Sequence, residues 1–309
     1  MATVLITGGT GMIGKAITKV LLTRGHAVII LSRNDTNNKP AAGNFSYARW
    51  DIQNMTIDKE AIAKANYIIH LAGAGVADKR WSKRRKQEIV DSRVKSGELL
   101  VKALNEIPNN VKAVISASAI GWYGPDPVIP NPHPFTEDAI ASNDFLGTTC
   151  KQWEESIEPV TIAGKRLVKL RIGIVLSKEG GALKELLKPL YFSIATILGN
   201  GKQVISWIHI DDLARLFIAA MENENMSGIY NAVSPHPVSN KELILQLASV
   251  KQGRFFIPFY VPSFVLKMVL GEMSIEVLKS ATVSCAKVEE TGFEFQYPSV
   301  KGALANLLK

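Results

Sequence analysis

Cysteine is scarce in this 309-residue chain, and its two cysteines, Cys150 and Cys285, stand far apart. They share no spacing typical of a metal-ligand set, and two residues cannot build the disulfide framework of a small secreted scaffold. We therefore expect neither a zinc cluster nor any other metal site. The sparse cysteine is compatible with a reducing compartment.

Long hydrophobic runs are also missing. No apolar stretch approaches the roughly 20 residues that a helix needs to cross a bilayer. The first residues show neither the basic region nor the long apolar segment of a secretory signal, and a strand-like segment begins at Thr3. The sequence therefore predicts a cytoplasmic protein without a membrane partner.

Acidic residues are outnumbered, because 36 lysines and arginines stand against 28 aspartates and glutamates, for a net charge of +8. The densest basic cluster is KRWSKRRK, at Lys79–Lys86. Three interpretations stay open: a solvated helix face, a site for an anionic ligand such as phosphate, and contact with nucleic acid. Nucleic acid is the least favoured, since no helix-turn-helix pattern and no basic run interleaved with aromatic residues accompanies the cluster.

Short apolar segments alternate with helical patterns over the first 175 residues or so. The predicted strands are Thr3–Thr7, Ala27–Leu31, Tyr67–Leu71, Val111–Ser116 and Leu167–Leu176. The predicted helices are Met12–Arg24, 84–105 and 144–158. Continuous apolar strands between helices are typical of a parallel sheet that is covered on both faces. We therefore predict an α/β fold with a Rossmann-type, doubly wound parallel sheet.

The alternation weakens after residue 176, where glycine pairs interrupt the pattern. One further helix, Ile208–Glu222, belongs with the main sheet, and later helices are predicted at 239–249, 262–281 and 299–308. We predict a nucleotide-binding domain at 1–176 plus about 204–235. A smaller, partly interleaved substrate domain is predicted at about 177–203 and 236–309.

A proline-rich loop, Pro125–Pro134, follows a predicted strand at the carboxyl edge of the sheet. Ligands of α/β proteins bind at that edge. The loop is therefore either a rigid surface connection or the rim of an active site.

A glycine-rich turn lies between the first predicted strand and the first helix. Its glycines allow a tight turn and a close approach of the backbone to a pyrophosphate, while the helix N-terminus offers free N–H groups and a positive dipole. The residues expected to bind a dinucleotide here are Gly8, Thr10, Gly11, Met12, Ile13 and Gly14.

The end of the second strand indicates which dinucleotide. Enzymes that use NAD place an acidic residue there, on the ribose 2′-hydroxyl, whereas NADP enzymes use an arginine. This chain has Ser32 and Arg33, with Asp35 two residues later. Arg33 can hold a 2′-phosphate through two hydrogen bonds, and Ser32 can donate a third. We therefore predict NADP(H); the alternative is a solvated loop arginine.

The string TGGTGMIG, with the spacing TGxxGxxG, resembles the short-chain dehydrogenase/reductase superfamily, in its extended branch. The segment Trp207–Asp212 also resembles the part of that superfamily's chain that returns to the main domain. The cofactor contacts that this resemblance implies are Asp51 and Ile52 at the adenine, and Leu71, Ala72 and Gly73 beside the nicotinamide ribose.

Further motifs are similar to an atypical subgroup of that branch, called nucleoside-diphosphate-sugar epimerase-like. They are Lys79–Trp81, Ser92–Val94, Ser118–Gly124, Trp153–Glu154, Arg171–Leu176 and, in a tail that resembles a small C-terminal domain of unknown function, Gly271–Glu272 and Thr291–Phe293. The resemblance implies that Arg93 contacts the cofactor; the alternative is an ion pair on a helix surface.

Typical members transfer a proton with a tyrosine and with a lysine four residues later, while a serine positions the substrate oxygen. Lys151 falls at the lysine position, so the resemblance implies that it binds the nicotinamide ribose, in a catalytic role or without one; the alternative is an exposed helix lysine. Gly147 stands where the tyrosine belongs. Ser118 is the candidate serine, with Ser116 second. The candidates for a replacement acid are Tyr123, His133 and His209.

Two hypotheses about function remain. The first is an NADP(H)-dependent oxidoreductase or epimerase whose substrate is a nucleotide sugar or a small carbonyl or hydroxyl compound. The second, favoured by Gly147, is a non-catalytic NADP(H)-binding regulator or scaffold, for which a cell-division label on some relatives is an unproven association. We favour the enzyme. The oligomer is not fixed by the sequence, although related folds often form homodimers.

Overall fold

A computed structural model describes residues 1–34 and 43–309 of the chain. Its strands are β1 (Thr3–Thr7), β2 (Ala27–Ser32), β3 (Phe45–Asp51), β4 (Thr56–Ile57), β5 (Tyr67–His70), β6 (Ala113–Ala119), β7 (Arg166–Ile172), β8 (Ile174–Leu176), β9 (Ile194–Leu198), β10 (Val204–Ile205), β11 (Trp207–His209), β12 (Gly228–Ala232), β13 (Val238–Ser239) and β14 (Ile257–Val261). Its helices are α1 (Met12–Thr23), α2 (Lys59–Lys64), α3 (Lys83–Glu106), α4 (Phe145–Ile157), α5 (Gly181–Leu190), α6 (Ile210–Glu222), α7 (Asn240–Gln252), α8 (Ser263–Leu270), α9 (Ser274–Leu278), α10 (Ala286–Glu289) and α11 (Val300–Leu308).

Eight strands form one sheet in the order β12-β7-β6-β5-β1-β2-β3-β4. Neighbours run parallel except at the edge, where β4 is antiparallel to β3. Strand β1 pairs with β2 on one side and with β5 on the other, so the direction of winding reverses at β1. Ligands of open α/β sheets bind outside the carboxyl ends of the strands at such a switch point. The predicted Rossmann-type, doubly wound fold is confirmed.

The apolar run of β1 explains why it is central. Val4 and Ile6 pack into a core cluster on one face of the sheet, whereas Leu5 packs into the cluster on the other face. Helices α1 and α6 cover the first face, and α2 and α3 cover the second. Because both faces are buried, every position of the strand favours an apolar side chain.

Polar caps set the start of the two helices that frame the candidate site. The Ser82 side chain accepts a hydrogen bond from the Arg85 N–H at the start of α3. The Asp144 carboxylate accepts one from the Gly147 N–H at the start of α4, at 2.7 Å. Each cap satisfies a backbone donor that the helix itself leaves unpaired.

A separate apolar cluster joins the later elements. Leu183 of α5, Ile197 of β9, Leu247 of α7 and Leu304 of α11 are buried together in it. Strand β9 pairs in parallel with β14. In the described part of the chain, no helix combines the length and the apolarity that crossing a membrane requires. The domain boundaries drawn from the sequence stay a prediction.

The proline-rich loop is tied to the C-terminal part of the chain. The buried Asp126 carboxylate accepts hydrogen bonds from the Ser280 hydroxyl at 2.7 Å, and from the Thr282 hydroxyl at 2.8 Å. It also accepts one from the Thr282 N–H at 2.9 Å. These bonds hold the loop, residues 125–134, against residues 280–282.

The sequence-based prediction of one strand over Leu167–Leu176 is wrong, because Gly173 separates β7 from β8. A Cβ atom at Gly173 would lie 2.6 Å from the Ser206 carbonyl oxygen. Only a glycine therefore lets the chain pass there, and β8 leaves the main sheet to pair with β11.

The prediction of one helix over 262–281 is also wrong. Gly271, at a φ of +62°, ends α8, and a 3-10 turn separates it from α9. The turn packs against the basic cluster: a Cβ at Gly271 would lie 2.8 Å from Arg80 Nε, and Glu272 forms an ion pair with Lys86. The pattern of apolar residues gives no sign of this break in the helix.

Candidate functional site

A cavity of about 1190 Å³ opens at the carboxyl ends of β1, β2, β3 and β5. This is the crevice that the switch in strand order predicts. The sequence-predicted residues that line it are Gly8, Thr10, Gly11, Ser32, Arg33, Asp51, Ile52, Leu71, Ala72 and Gly73. The structure therefore brings together ten residues that lie on four separate segments of the chain.

The glycine-rich turn requires residues without side chains. Gly8 has a φ of +66°, and a Cβ there would lie 2.8 Å from the Leu71 carbonyl oxygen. A Cβ at Gly14 would lie 2.5 Å from the Gly9 Cα atom. The glycines thus allow the turn to pack against the end of β5 and against the start of α1 at once.

The N-terminus of α1 faces the turn without a side-chain cap. Gly11 is the cap residue and has no side chain that could accept a hydrogen bond. The first turn of α1 also contains no acidic residue. Helix N-termini carry a partial positive charge and free N–H groups, which fit an anion. Met12, Ile13 and Gly14 stand behind the cavity rather than among its lining residues, and Met12 packs beside Gly181.

A buried chain of hydrogen bonds fixes the part of the cavity wall that lies against the turn. Thr7 Oγ1 accepts hydrogen bonds from the backbone N–H groups of Leu71 and Ala72, at 3.0 and 3.1 Å. Its own proton is then free for His70 Nδ1, at 2.8 Å, while His70 Nε2 lies 3.4 Å from Ser96 Oγ. Ser96 Oγ donates to the Arg93 carbonyl, so it accepts from His70.

This pattern holds His70 in the neutral form with its proton on Nε2. Burial lowers the pKa of His70 to about 3, because the charged ring would lose its hydration. A proton on Nδ1 would also face the Thr7 oxygen, which already accepts two N–H groups. His70 is therefore a structural element of the site's wall and not an acid.

The end of β2 contributes the predicted phosphate contacts. Ser32 and Arg33 both line the cavity; Arg33 is exposed, and the largely buried Ser32 side chain accepts from the Asn34 N–H at 3.3 Å. Asp35, noted in the sequence, lies outside the described residues.

At the end of β3, Asp51 forms a local turn. Its carboxylate accepts from the Asn54 and Gln53 N–H groups at 3.1 and 2.9 Å, and from the Asn54 side-chain amide at 2.9 Å. The bonds from Asn54 hold the pKa of the Asp51 carboxyl below its usual range. Asp51 is thus an oriented acceptor beside the buried Ile52.

Arg93 supports the cavity wall from behind. It is buried, and its Nη1 donates to the Ala74 carbonyl at 3.0 Å and to the Ile89 carbonyl at 2.9 Å. Its guanidinium carbon lies 4.9 Å from the centre of the Trp153 ring. The same carbon would lie 3.0 Å from a Cβ added at Gly73. The structure shows contacts to backbone carbonyls here and not the surface ion pair that was the alternative.

The candidate catalytic residues lie in a buried network. Ser118 Oγ donates to Glu154 Oε1 at 2.7 Å, and Arg171 holds both oxygens of Glu154, at 2.8 and 3.2 Å. Arg171 is fully buried and lies against the Trp122 ring. Glu154 and Arg171 belong to motifs that the sequence singled out, but only the fold reveals that they meet Ser118.

Tyr123 belongs to the same network. Its hydroxyl donates to Asn231 Oδ1 at 2.7 Å and accepts from Arg171 at 3.1 Å. The side chain is fully buried, and burial raises the pKa of the phenol. Both hydrogen-bonding capacities of the hydroxyl are used within the protein.

Lys151 and Gly147 lie on α4. The Lys151 side chain is 59% exposed, and its nearest carboxylate oxygen belongs to Glu155, at 3.9 Å. At Gly147, an added Cβ would lie 2.2 Å from the Ser142 carbonyl oxygen. The space that a tyrosine side chain would need at its beginning is therefore filled by backbone.

The remaining candidates, His209, His133 and Ser116, lie in different parts of the fold. His209 is buried, its Nδ1 accepts from the Asp211 N–H at 3.0 Å at the start of α6, and burial lowers its pKa. His133 is exposed in the proline-rich loop, and Ser116 is buried in β6. Neither these three nor Ser118, Tyr123 and Lys151 are among the cavity-lining residues of the described chain.

The basic cluster Lys79–Lys86 extends into the first turn of α3, and some of its side chains line the cavity. Lys79, Arg84 and Arg85 line the cavity together with Arg33. Arg85 is buried and paired with Glu88 at 2.8 Å, which holds the pKa of the Glu88 carboxyl below its usual range. The sequence marked this cluster but did not place it beside the glycine-rich turn.

Comparison with known proteins finds two matching sequence profiles. Residues 4–146 and 183–232 match the NAD dependent epimerase/dehydratase family. Residues 261–307 match a domain of unknown function, DUF1731.

Individual relatives match over nearly the whole chain. An epimerase family protein of Bacillus subtilis is 34% identical over 99% of this chain and 97% of its own. The crystal structure of a human epimerase family protein with NADPH is 29% identical, covers 99% of both chains and has a TM-score of 0.86. A nucleoside-diphosphate sugar epimerase of Corynebacterium glutamicum is 31% identical, with a TM-score of 0.78, over 99% of this chain and 58% of its own.

The crowding at Gly147 predicts the effect of a single methyl group. Gly147→Ala should destabilise the protein by about 1–3 kcal/mol, because the added Cβ meets the Ser142 backbone. The matched control is Gly302→Ala, at the same third position of α11, where the nearest atom is the Ser299 hydroxyl at 3.2 Å. Alanine there should be neutral or stabilising. Urea unfolding compares the two variants, and equal stabilities would contradict the packing described for Gly147.

The neutral His70 predicts a pH dependence. Its folded pKa lies below the unfolded value of 6.5, so its contribution to stability is complete above that pH and is lost as pH falls toward about 3. His70→Gln keeps a donor and an acceptor and should reduce the slope of unfolding free energy between pH 6 and 4 by up to about 1.4 kcal/mol per unit. Exposed His133→Gln is the control. An unchanged slope in His70→Gln would contradict the assignment.

Proposed function

The chain belongs to the NAD dependent epimerase/dehydratase family, and from that premise we propose that it is an NADP(H)-binding, epimerase-like oxidoreductase. Its substrate would be a nucleotide sugar or a small carbonyl or hydroxyl compound. The observation that carries the proposal is the cavity at the switch point, with the glycine-rich turn on one side and Arg33 on another. The human relative solved with NADPH supports the choice of cofactor.

The residues present fit the parts of NADP(H). The pyrophosphate fits the turn at Gly8–Gly11, because the uncapped N-terminus of α1 offers N–H groups there. The 2′-phosphate fits Arg33, with Ser32 beside it. The adenine fits the apolar Ile52 and the oriented Asp51 carboxylate, and Leu71–Gly73 would flank the nicotinamide ribose.

When bound, NADP(H) supplies hydride transfer, and the protein supplies binding, orientation and electrostatics. Proton transfer is where this chain departs from its typical relatives. The Ser118 proton is held by Glu154, and the Tyr123 proton is held by Asn231. Lys151 remains available to hold the ribose, because its amine is exposed. The proton required by the reaction would therefore come from water or from the substrate itself.

A non-catalytic NADP(H)-binding regulator is the second candidate. It is favoured by the same buried network, because Ser118, Glu154 and Arg171 form a structural unit and Gly147 leaves no room for tyrosine. Turnover separates the two candidates. The homodimer, the cytoplasmic location and the absence of nucleic-acid binding stay predictions.

The 2′-phosphate assignment predicts a selective loss in Arg33→Ala. A charge-assisted hydrogen bond contributes about 1.5–3 kcal/mol, so NADPH should bind about 10- to 100-fold more weakly. NADH, which lacks the phosphate, should change by less than about twofold. Arg24→Ala is the control, since that arginine pairs with Glu222 at 2.9 Å instead of lining the cavity. Equal losses for both cofactors in fluorescence titrations would sink the assignment.

Catalysis predicts turnover of at least one substrate in the proposed class. Nucleotide sugars and small carbonyl compounds would be incubated with protein and NADPH, following net oxidation at 340 nm and epimerised products by chromatography. Lys151→Ala should lower this turnover or weaken the cofactor, whereas Lys102→Ala, on the exposed face of α3, should not. NADPH binding without turnover of any compound would move the regulator to first place.

A further inference from the structure

We propose that an exposed apolar surface in the C-terminal part of the chain docks on an anionic lipid bilayer. The surface, called here the aromatic face, is formed by residues 191–194, 255–260 and 264–269. It lies outside the residues that line the candidate cofactor cavity. The inference therefore does not depend on the proposed function.

The three segments of the aromatic face are neighbours in space. Strand β14 pairs in parallel with β9, which sets Ile257 beside Ile194. The Ile257 N–H donates to the Ser193 carbonyl at 2.8 Å, so the start of β14 is held against the Tyr191–Ile194 segment. Helix α8 follows β14 directly. Its first residue, Ser263, lies beside the end of β9, because a Cβ at Gly199 would lie 3.3 Å from the Ser263 hydroxyl. The surface thus combines segments that are about 60 residues apart.

Large apolar side chains on this surface are open to solvent. Phe255 is 85% exposed, Phe192 is 80% exposed and Met268 is 70% exposed. Residues 257–260 of β14 are all exposed, and consecutive strand residues point to opposite faces, so both faces of the strand are uncovered. Scattered apolar residues are ordinary on a protein surface, but a contiguous patch of this kind marks an interaction site.

The chain segments that form the aromatic face carry basic residues and no acidic ones. Neither residues 186–203 nor residues 243–271 contain an aspartate or a glutamate. The same stretches carry five basic residues, namely Lys188, Lys202, Lys251, Arg254 and Lys267. Lys188 pairs with Glu185, just outside the first stretch, at 2.6 Å. Aromatic and aliphatic side chains with a basic rim are the composition of a surface that enters the headgroup region of an anionic membrane.

The structure disfavours a second copy of the chain on this face. A two-fold contact would bring Lys251, Arg254 and Lys267 of both copies together, with no carboxylate from either stretch between them. The backbone also resists strand addition. Ile257 and Val261 use their backbone groups toward β9, so Pro258 stands on the open edge, where it has no N–H to donate.

A lipid surface needs neither carboxylates nor strand pairing from its partner, and it complements both the apolar side chains and the basic rim. The sequence alone led to the expectation of no membrane partner, because apolar runs report spanning helices. The aromatic face is assembled from separate short segments, so no such run records it.

The test is co-sedimentation of the full chain with vesicles of phosphatidylcholine alone, or with about one third phosphatidylglycerol. We expect binding to the anionic vesicles only. The Phe255→Ser, Phe264→Ser double variant should bind them at least about tenfold more weakly. The matched control is Ile140→Ser with Ile162→Ser, two apolar residues outside the face that are at least as exposed as the two phenylalanines. Circular dichroism and the unfolding midpoint verify that each variant is folded.

Charge is tested separately. Lys251→Glu with Arg254→Glu should abolish binding to the anionic vesicles, whereas Lys102→Glu with Lys301→Glu, which makes the same change in net charge elsewhere, should not. Equal losses in the two pairs would attribute binding to bulk positive charge and overturn the proposal. So would the absence of vesicle binding, or a dimer in light scattering that the phenylalanine variant dissociates.

Discussion

One threonine hydroxyl holds the switch point of the sheet together. Thr7 Oγ1 receives two backbone N–H groups from the segment that follows β5 and lies 2.8 Å from the ring of His70. This brings the Leu71 carbonyl so close to Gly8 that no side chain fits between them. The turn and the wall of the cavity depend on that contact, and the same hydroxyl fixes which ring nitrogen of the buried, neutral His70 carries the proton. A small β-branched hydroxyl residue followed by glycine is therefore needed there.

A second constraint is the buried polar network around Ser118, which underlies the proposed departure from tyrosine–lysine chemistry. Arg171 and Glu154 are both buried, and removing either partner of such a pair strands a charge in the interior. Ser118 bonds to Glu154 and Tyr123 bonds to Arg171, so both join this pair, while Ser142 fills the space beside Gly147. A buried network of hydrogen bonds and an ion pair thus engages both Ser118 and Tyr123. Among the described residues, this network lies apart from those that line the candidate cofactor cavity.

Local signals in the sequence were sufficient for the nucleotide-binding part. Strand β1 was placed at its observed bounds, and Gly8, Arg33 and Asp51 were brought to one crevice by strand order alone. The remainder depends on contacts between distant residues. Ser118 meets Glu154 36 positions later, and the break at Gly271 is coupled to Arg80. Strands β9 and β14 were missed because each is defined by its partner and not by its own pattern.

The central claim is that the cavity at the switch point selects a 2′-phosphorylated dinucleotide. Parallel fluorescence titrations of the unmodified protein with NADPH and NADH, at one moderate salt concentration, test it most directly. The account predicts that NADPH binds at least about tenfold more tightly than NADH, because the proposed contacts of the cavity-lining Arg33 and Ser32 would be to the 2′-phosphate that NADH lacks. Equal affinity for the two cofactors, or no binding of either, would contradict it.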